Sequence, residues 1–257
     1  FPTRPLFRSL CLACSVKGDI IDVDFWSRLI MGKHVIETGS VMYHDIISYT
    51  PTHIWYDHEW ISSALFYFVT EHFGAFGLTI LKCLINTITI CLIFLVIQYK
   101  QNSIDIKYKH IYLLLVVVLL SQVAFFKTLR CQNFSFLFYP VLFLILEYTR
   151  RNYKSKLIWL TPFLMLLWLN IHGGSMYGMG IIFLYGLGEA LNRKPCLKYF
   201  LILIPCALVY FINPWGADFA NFMIGAIHTN REWINEWKSP FSIYFLNKWL
   251  NLKFITN

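Results

Sequence analysis

Long apolar runs parted by short polar loops constrain this chain most. Five regions are candidates for membrane spans: residues 73–97, 110–126, 134–148, 157–189 and 198–212. A bilayer needs about 20 consecutive apolar residues in a helix. The fourth region is too long for one helix and is interrupted by HGGS at 172–175. It reads as two spans, 157–170 and 175–191, joined by a tight turn. The expectation is an all-α polytopic membrane protein with about six transmembrane helices. Composition agrees, because only 14% of residues are charged, against about 25% in soluble domains.

The loops set an orientation. YKQNSIDIKYKH (99–110), RRNYKSK (150–156) and NRKPCLK (192–198) are rich in Lys and Arg. They alternate with TLRCQNFS, NIHGGS and NPWGAD. Basic loops stay on the cytoplasmic side. The net charge of +8 therefore belongs to topology and not to a nucleic-acid partner. The other set of loops falls on the extracytoplasmic face, together with residues 22–60.

That stretch, DVDFWSRLIMGKHVIETGSVMYHDIISYTPTHIWYDHEW, is too polar and too broken by Gly and Pro to lie in lipid. Phe25, Leu29 and Ile36 share one helical face, with Trp26 and Ile30 beside it. Gly39 marks the stop. This predicts an interfacial helix with Trp26 at headgroup level. A second helix starts at Asp57 and runs into the Gly74–Gly77 bend. A third interfacial helix is expected within 217–237. The chain then has three parts: 1–72, a remnant of a first span plus the extracytoplasmic loop; 73–213, a helix bundle; 214–257, an interfacial segment. The start at Phe1 and the residues 6–16 read as the tail of a longer first span, and the chain as a fragment.

Several polar residues stand out. Asp22 and Asp24 can share a hard divalent cation such as Mg²⁺ or Mn²⁺, or supply a general base. Asp24 can equally be the N-cap of the next helix. Glu59 is either a second acid or a first-turn residue favoured by the helix dipole. His58 sits beside it. His34, His44, His53 and His58 lack an HExxH spacing, which argues against zinc. The seven cysteines behave mostly as small apolar residues, and Cys11 and Cys14 form a lone CxxC.

Arg130 lies in an outward loop beside Lys127. It suits bidentate contact with phosphate, or snorkels. Lys82 lies inside a span and needs snorkelling or an acidic partner. His172 is a candidate hydrogen-bond donor or acid–base group, with the alternative of a polar turn. Asn213 begins NPWG on the same face.

The ordered set DVDFW, GKHVIETG, DHEW, LRCQNFSFLF, WLNIHGG, INPWG and EW spans residues 22–237. It resembles a group of bacterial polytopic proteins similar to the GT-C superfamily of membrane glycosyltransferases. The resemblance implies a bacterial inner-membrane enzyme with its motif loops outside the cytoplasm. It implies a polyprenyl-phosphate-linked sugar donor, an acceptor of unspecified nature and membrane lipid as partners. By the same resemblance Asp22 and Asp24 are the base or metal motif, Glu59 a second acid and Arg130 a donor-phosphate ligand. His58, Lys82, His172 and Asn213 complete the expected substrate contacts. A transporter or flippase for a lipid-linked or small solute, and a non-catalytic membrane subunit, are the alternatives.

Overall fold

A computed structural model describes residues 24–45, 47, 49, 55–101 and 128–228. All regular structure among them is helical. Asp22, Cys11, Cys14, His53, Lys127, Glu232, Glu236 and the expected span 110–126 lie outside the described residues. The chain divides into two units, 1–219 and 220–257. The helix bundle and the candidate site lie within the first unit.

Helix α1 is Phe25–Thr38 and ends on Gly39, whose φ of 69° suits glycine and whose N–H returns to Val35 O. Helix α2 is Trp60–Gln101 and is not straight. Gly74 has φ 58° and ψ −156°, a conformation open almost only to glycine. Two contacts establish how far the helix turns. The Phe66 ring lies 6.1 Å from that of Phe134, while Asn133 Nδ2 donates to Asn86 Oδ1 at 3.3 Å. In a straight helix Phe66 and Asn86 would stand about 30 Å apart, yet they meet neighbouring residues. So α2 folds back at Gly74, as the sequence predicts. One arm is 60–73, the other 75–101.

Helix α3, Gln132–Arg151, comes next in the chain. A 3-10 turn at Leu157–Leu160 leads into α4, Thr161–Ile171. After the turn at 172–174 comes α5, Ser175–Leu191. Short helices α6 (Leu197–Leu201) and α7 (Leu203–Leu208) lead through a 3-10 turn, Val209–Phe211, to the NPWG turn. There Gly216 has φ 57° and its N–H reaches Asn213 O. Helix α8 is Ala217–His228.

These helices run up and down, and their loops sort onto opposite ends. At one end Arg151 lies over the Tyr99 ring at 4.0 Å. Lys198 Nζ donates to Ser155 O at 2.9 Å. Buried Glu147 accepts both Arg150 Nε and Nη2, and also Tyr185 Oη. At the other end Ser62 Oγ bonds Ile171 O at 3.0 Å, and Ser175 Oγ meets Tyr210 Oη at 2.7 Å. The two ends are separated by α3, about 30 Å long. Among the described residues, the loops 150–156 and 192–198 thus lie at one end with Tyr99, and the turns bearing Arg130, His172 and Asn213 at the other.

Among the described residues one helix, within Trp60–Tyr99, is long and apolar enough to cross a membrane. Its bend leaves the 75–99 arm, about 37 Å long, as the part that fits a bilayer. Leu157–Ile171 and Leu197–Phe211 are apolar and shorter.

Helix α1 corrects the expected apolar stripe. Its buried residues are Phe25, Met31 and Gly32, whereas Ile36 is 50% exposed. Gly32 decides this. A Cβ there would stand 2.0 Å from Ser63 O, so this face alone lets α1 press against α2. The Phe25 and Phe66 rings, 5.4 Å apart, then pack on one side of Gly32. Trp26 and Ile30 point outward.

Candidate functional site

The packing of α1 on α2 brings Arg28 onto the start of α2. Arg28 lies one turn from Phe25 and from Met31, on the buried face. Its fork divides between two carboxylates. Nη1 lies 2.7 Å from Asp57 Oδ1, and Nη2 lies 2.6 Å from Glu59 Oε2. Asp57 is also the cap that the sequence predicts, because Oδ1 accepts the Glu59 N–H at 3.1 Å. The remaining Glu59 oxygen, Oε1, faces two imidazoles: His172 Nε2 at 3.5 Å and His58 Nε2 at 3.8 Å.

Beneath them the floor is tied to three helices. Ser62 Oγ lies 2.8 Å from Glu59 O and 3.0 Å from both Cys131 Sγ and Ile171 O, acceptors among which its one hydrogen is shared. The Cys131 thiol in turn hydrogen-bonds the Glu59 side chain. Beside this, Trp60 Nε1 donates to Asn170 Oδ1 at 2.8 Å.

The electrostatics follow from burial and this one cation. Burial alone raises the Glu59 carboxyl, but Arg28, with His58 and His172, outweighs it and holds Glu59 below its ordinary value. Asp57 moves the other way. Burial dominates there, and the negative charge of Glu59 adds to it, so Arg28 does not bring Asp57 back down. Burial raises the Cys131 thiol well above its usual value, so it stays a thiol. His172 is lowered to about 4, by burial first and against the pull of Glu59. A neutral imidazole beside an ionised carboxylate is a hydrogen-bond donor, one of the two roles the sequence suggested for His172.

The expected site residues divide into three groups. Glu59, His58 and His172 come together. Arg130 precedes Cys131 directly and stands at the start of α3, where its N–H is held by Asn133 Oδ1 at 2.9 Å. Asp24 is exposed. It occupies the N-cap position of α1 without a side-chain capping bond, one turn from Arg28. Asn213 stabilises its own turn, accepting Trp215 N–H at 2.9 Å. Lys82 is fully buried within the second arm of α2, one turn from Asn86, so it does not snorkel. Asp22 lies outside the described residues, which leave Asp24 as the single carboxylate of the expected metal pair. Among the described residues no group of three or more His, Cys, Asp or Glu is placed to hold a metal ion.

Arg28 is the residue that sequence reasoning missed. Its signal was present: it is the cation on the face marked by Phe25 and Gly32. Ser135, Trp168 and Cys131 were missed as well, since each reads as an ordinary helix residue until its partner is known.

An open groove of about 590 Å³ runs beside this centre. Its walls are Trp60, Ile61, Phe163, Leu166, Leu167, Phe211, Ile212 and Pro214, and its polar points are Asn170 and Asn213. It begins one residue from Glu59 and two from His172.

No family model matches the chain, and neither a curated protein nor a solved structure matches it.

Proposed function

We propose that the chain is a polytopic membrane transferase. It moves a sugar from a polyprenyl-phosphate carrier to an acceptor hydroxyl, on the face of the membrane opposite its basic loops. The observation that carries this reading is the apolar groove opening beside the ionised Glu59 and the neutral His172. A prenyl chain is all apolar surface and fits such a wall. Asn170 and Asn213, the groove's polar points, are available to a phosphate and sugar.

In this reading Asp24, exposed at the head of α1, takes the proton of the acceptor hydroxyl. The acceptor oxygen bonds the anomeric carbon as the bond to the carrier phosphate breaks. Polyprenyl phosphate leaves with its electron pair, steadied by Arg130. Glu59 stays anionic and aligns the donors around it. General-base catalysis is worth about 10²–10⁴ in rate. The test is Asp24→Asn in proteoliposomes supplied with a polyprenyl-phosphate sugar. A fall in kcat of at least about 10²-fold is expected, and unchanged transfer would sink the role of Asp24.

A non-catalytic subunit is the second reading, and one observation favours it. Arg28 divides both arms of its fork among carboxylates of its own chain, as a clamp for α1 would. That reading expects Arg28 variants to lose a membrane partner on co-purification while Asp24→Asn loses nothing.

A further inference from the structure

Four atoms around His172 fix where its proton sits. The backbone N–H of Gly174 donates to Nδ1 at 3.0 Å. A backbone amide only donates, so Nδ1 is an acceptor here. Ser135 Oγ lies 2.6 Å from the same Nδ1. That hydroxyl also receives the indole N–H of Trp168 at 2.7 Å, which leaves its own hydrogen for His172. Two donors therefore converge on Nδ1, and the imidazole proton is forced to Nε2. Nε2 is the nitrogen that faces Glu59 Oε1, at 3.5 Å. Ser135 and Trp168 are buried, whereas the His172 side chain keeps 20% exposure.

We infer that Ser135 is a positioning residue, which with the Gly174 amide locks His172 as a neutral Nε2–H donor aimed at Glu59 Oε1. The donor and the carboxylate oxygen together then suit one ligand group, a hydroxyl. It accepts from His172 Nε2–H and donates to Glu59 Oε1, so it is a hydroxyl other than the one that gives its proton to Asp24. The Nε2–Oε1 separation is 3.5 Å, so a hydroxyl oxygen that reaches both atoms stands beside the pair and not between its atoms. The hydroxyl-binding role rests on the transferase reading; the tautomer does not. The charged and titratable groups acting on His172 are Glu59, which favours its protonation, and His58 and Arg28, which oppose it. The Ser135 and Gly174 donors oppose it too, because a protonated Nδ1 would face them hydrogen to hydrogen.

The experiment is nitrogen-15 NMR of the full chain in detergent micelles with labelled histidine, using His172→Gln to assign the signal. The native protein is expected to show Nδ1 unprotonated, Nε2 protonated and no titration of His172 between pH 8 and about 5, given its value of about 4. Ser135→Ala removes one donor, so the midpoint is expected to rise. Ser135→Cys, a weaker donor of similar shape, is expected in between. A native Nδ1–H tautomer overturns the proposal, as does a Ser135→Ala midpoint equal to the native one. If Ser135→Ala does not fold, the native tautomer still decides. Transfer is measured in the same variants. A locked tautomer with unchanged KM for the acceptor in Ser135→Ala would leave the lock standing and remove the hydroxyl-binding role. Absence of transfer in the native protein counts against the transferase reading alone.

Discussion

Arg28 Nη2 sits 2.6 Å from Glu59 Oε2 while Nη1 of the same guanidinium sits 2.7 Å from Asp57 Oδ1. One cation pairs with two buried carboxylates that lie 29 and 31 residues further along the chain. Removing the cation leaves both anions in a poorly solvated place. Arg28→Met is expected to cost about 3–5 kcal/mol, as for other buried pairs that lose one partner. Arg28→Met combined with Glu59→Gln is expected to cost less than the sum of the single changes. Denaturant titration in detergent checks both. A cost for Arg28→Met below about 1 kcal/mol, the range of exposed pairs, would mean that the pair is solvated.

The buried, neutral His172 makes stability depend on pH. Its value falls from 6.5 to about 4 on folding, so between these values the unfolded chain binds a proton that the native one does not. Stability then rises with pH. The contribution is fully present above pH 6.5 and is lost as pH falls toward 4. It amounts to about 3 kcal/mol across the window. Glu59, lowered as well, adds in the same direction at the acid end, while Asp57, raised by burial, opposes it there. Thermal unfolding from pH 7 to 5 should therefore show a Tm that drops in the native protein and drops less in His172→Gln.

Gly32 and Gly180 make a matched pair. A Cβ on Gly32 would meet Ser63 O at 2.0 Å, while nothing lies within 4 Å of one on Gly180. Gly32→Ala is expected to cost about 1–3 kcal/mol, the usual range for overpacking. It should also weaken the Arg28 contacts, because α1 must back away. Gly180→Ala is expected to be neutral or to stabilise by up to about 1 kcal/mol through helix propensity. Equal effects at both positions would contradict the close approach of α1 to α2.

The two ends of the bundle can be told apart chemically. Arg193 and Asp218 are both exposed, the first in a basic loop and the second just after the NPWG turn. Single cysteines there, in protein whose native thiols are blocked beforehand, are expected to react with a membrane-impermeant maleimide from opposite sides of sealed vesicles. Labelling of both from one side would refute the polytopic arrangement.

Much of this fold was legible in the sequence, for reasons that particular residues make plain. NPWG and Gly74 are bends because Gly216 and Gly74 hold positive φ, a local property. The sorting of basic from other loops needs only the order of charges along the chain. Which face of α1 is buried was not legible. Phe25, Leu29 and Ile36 make a plausible stripe in isolation, and only the carbonyl of Ser63, pressed on Gly32, selects the neighbouring face. The same reason hid Arg28, whose value depends on Asp57 and Glu59 across a loop. Glu59 and His172 were visible as unusual residues, but their meeting, and the neutral state of the imidazole, come from packing between helices distant in sequence.

The centre also has a history written into its sequence distances. Arg28 reaches Asp57 across 29 residues, but Trp60 waits 110 residues for Asn170. During synthesis the α1 clamp can close early, as a self-contained surface module. The groove and the His172 donor cannot exist until the α4–α5 hairpin has been made and has returned to the same end. Contacts of such long reach form late and slowly. A chain stopped before His172 would therefore hold a closed clamp and no imidazole from His172 to face Glu59, so completion of the centre waits on the turn at 172–174.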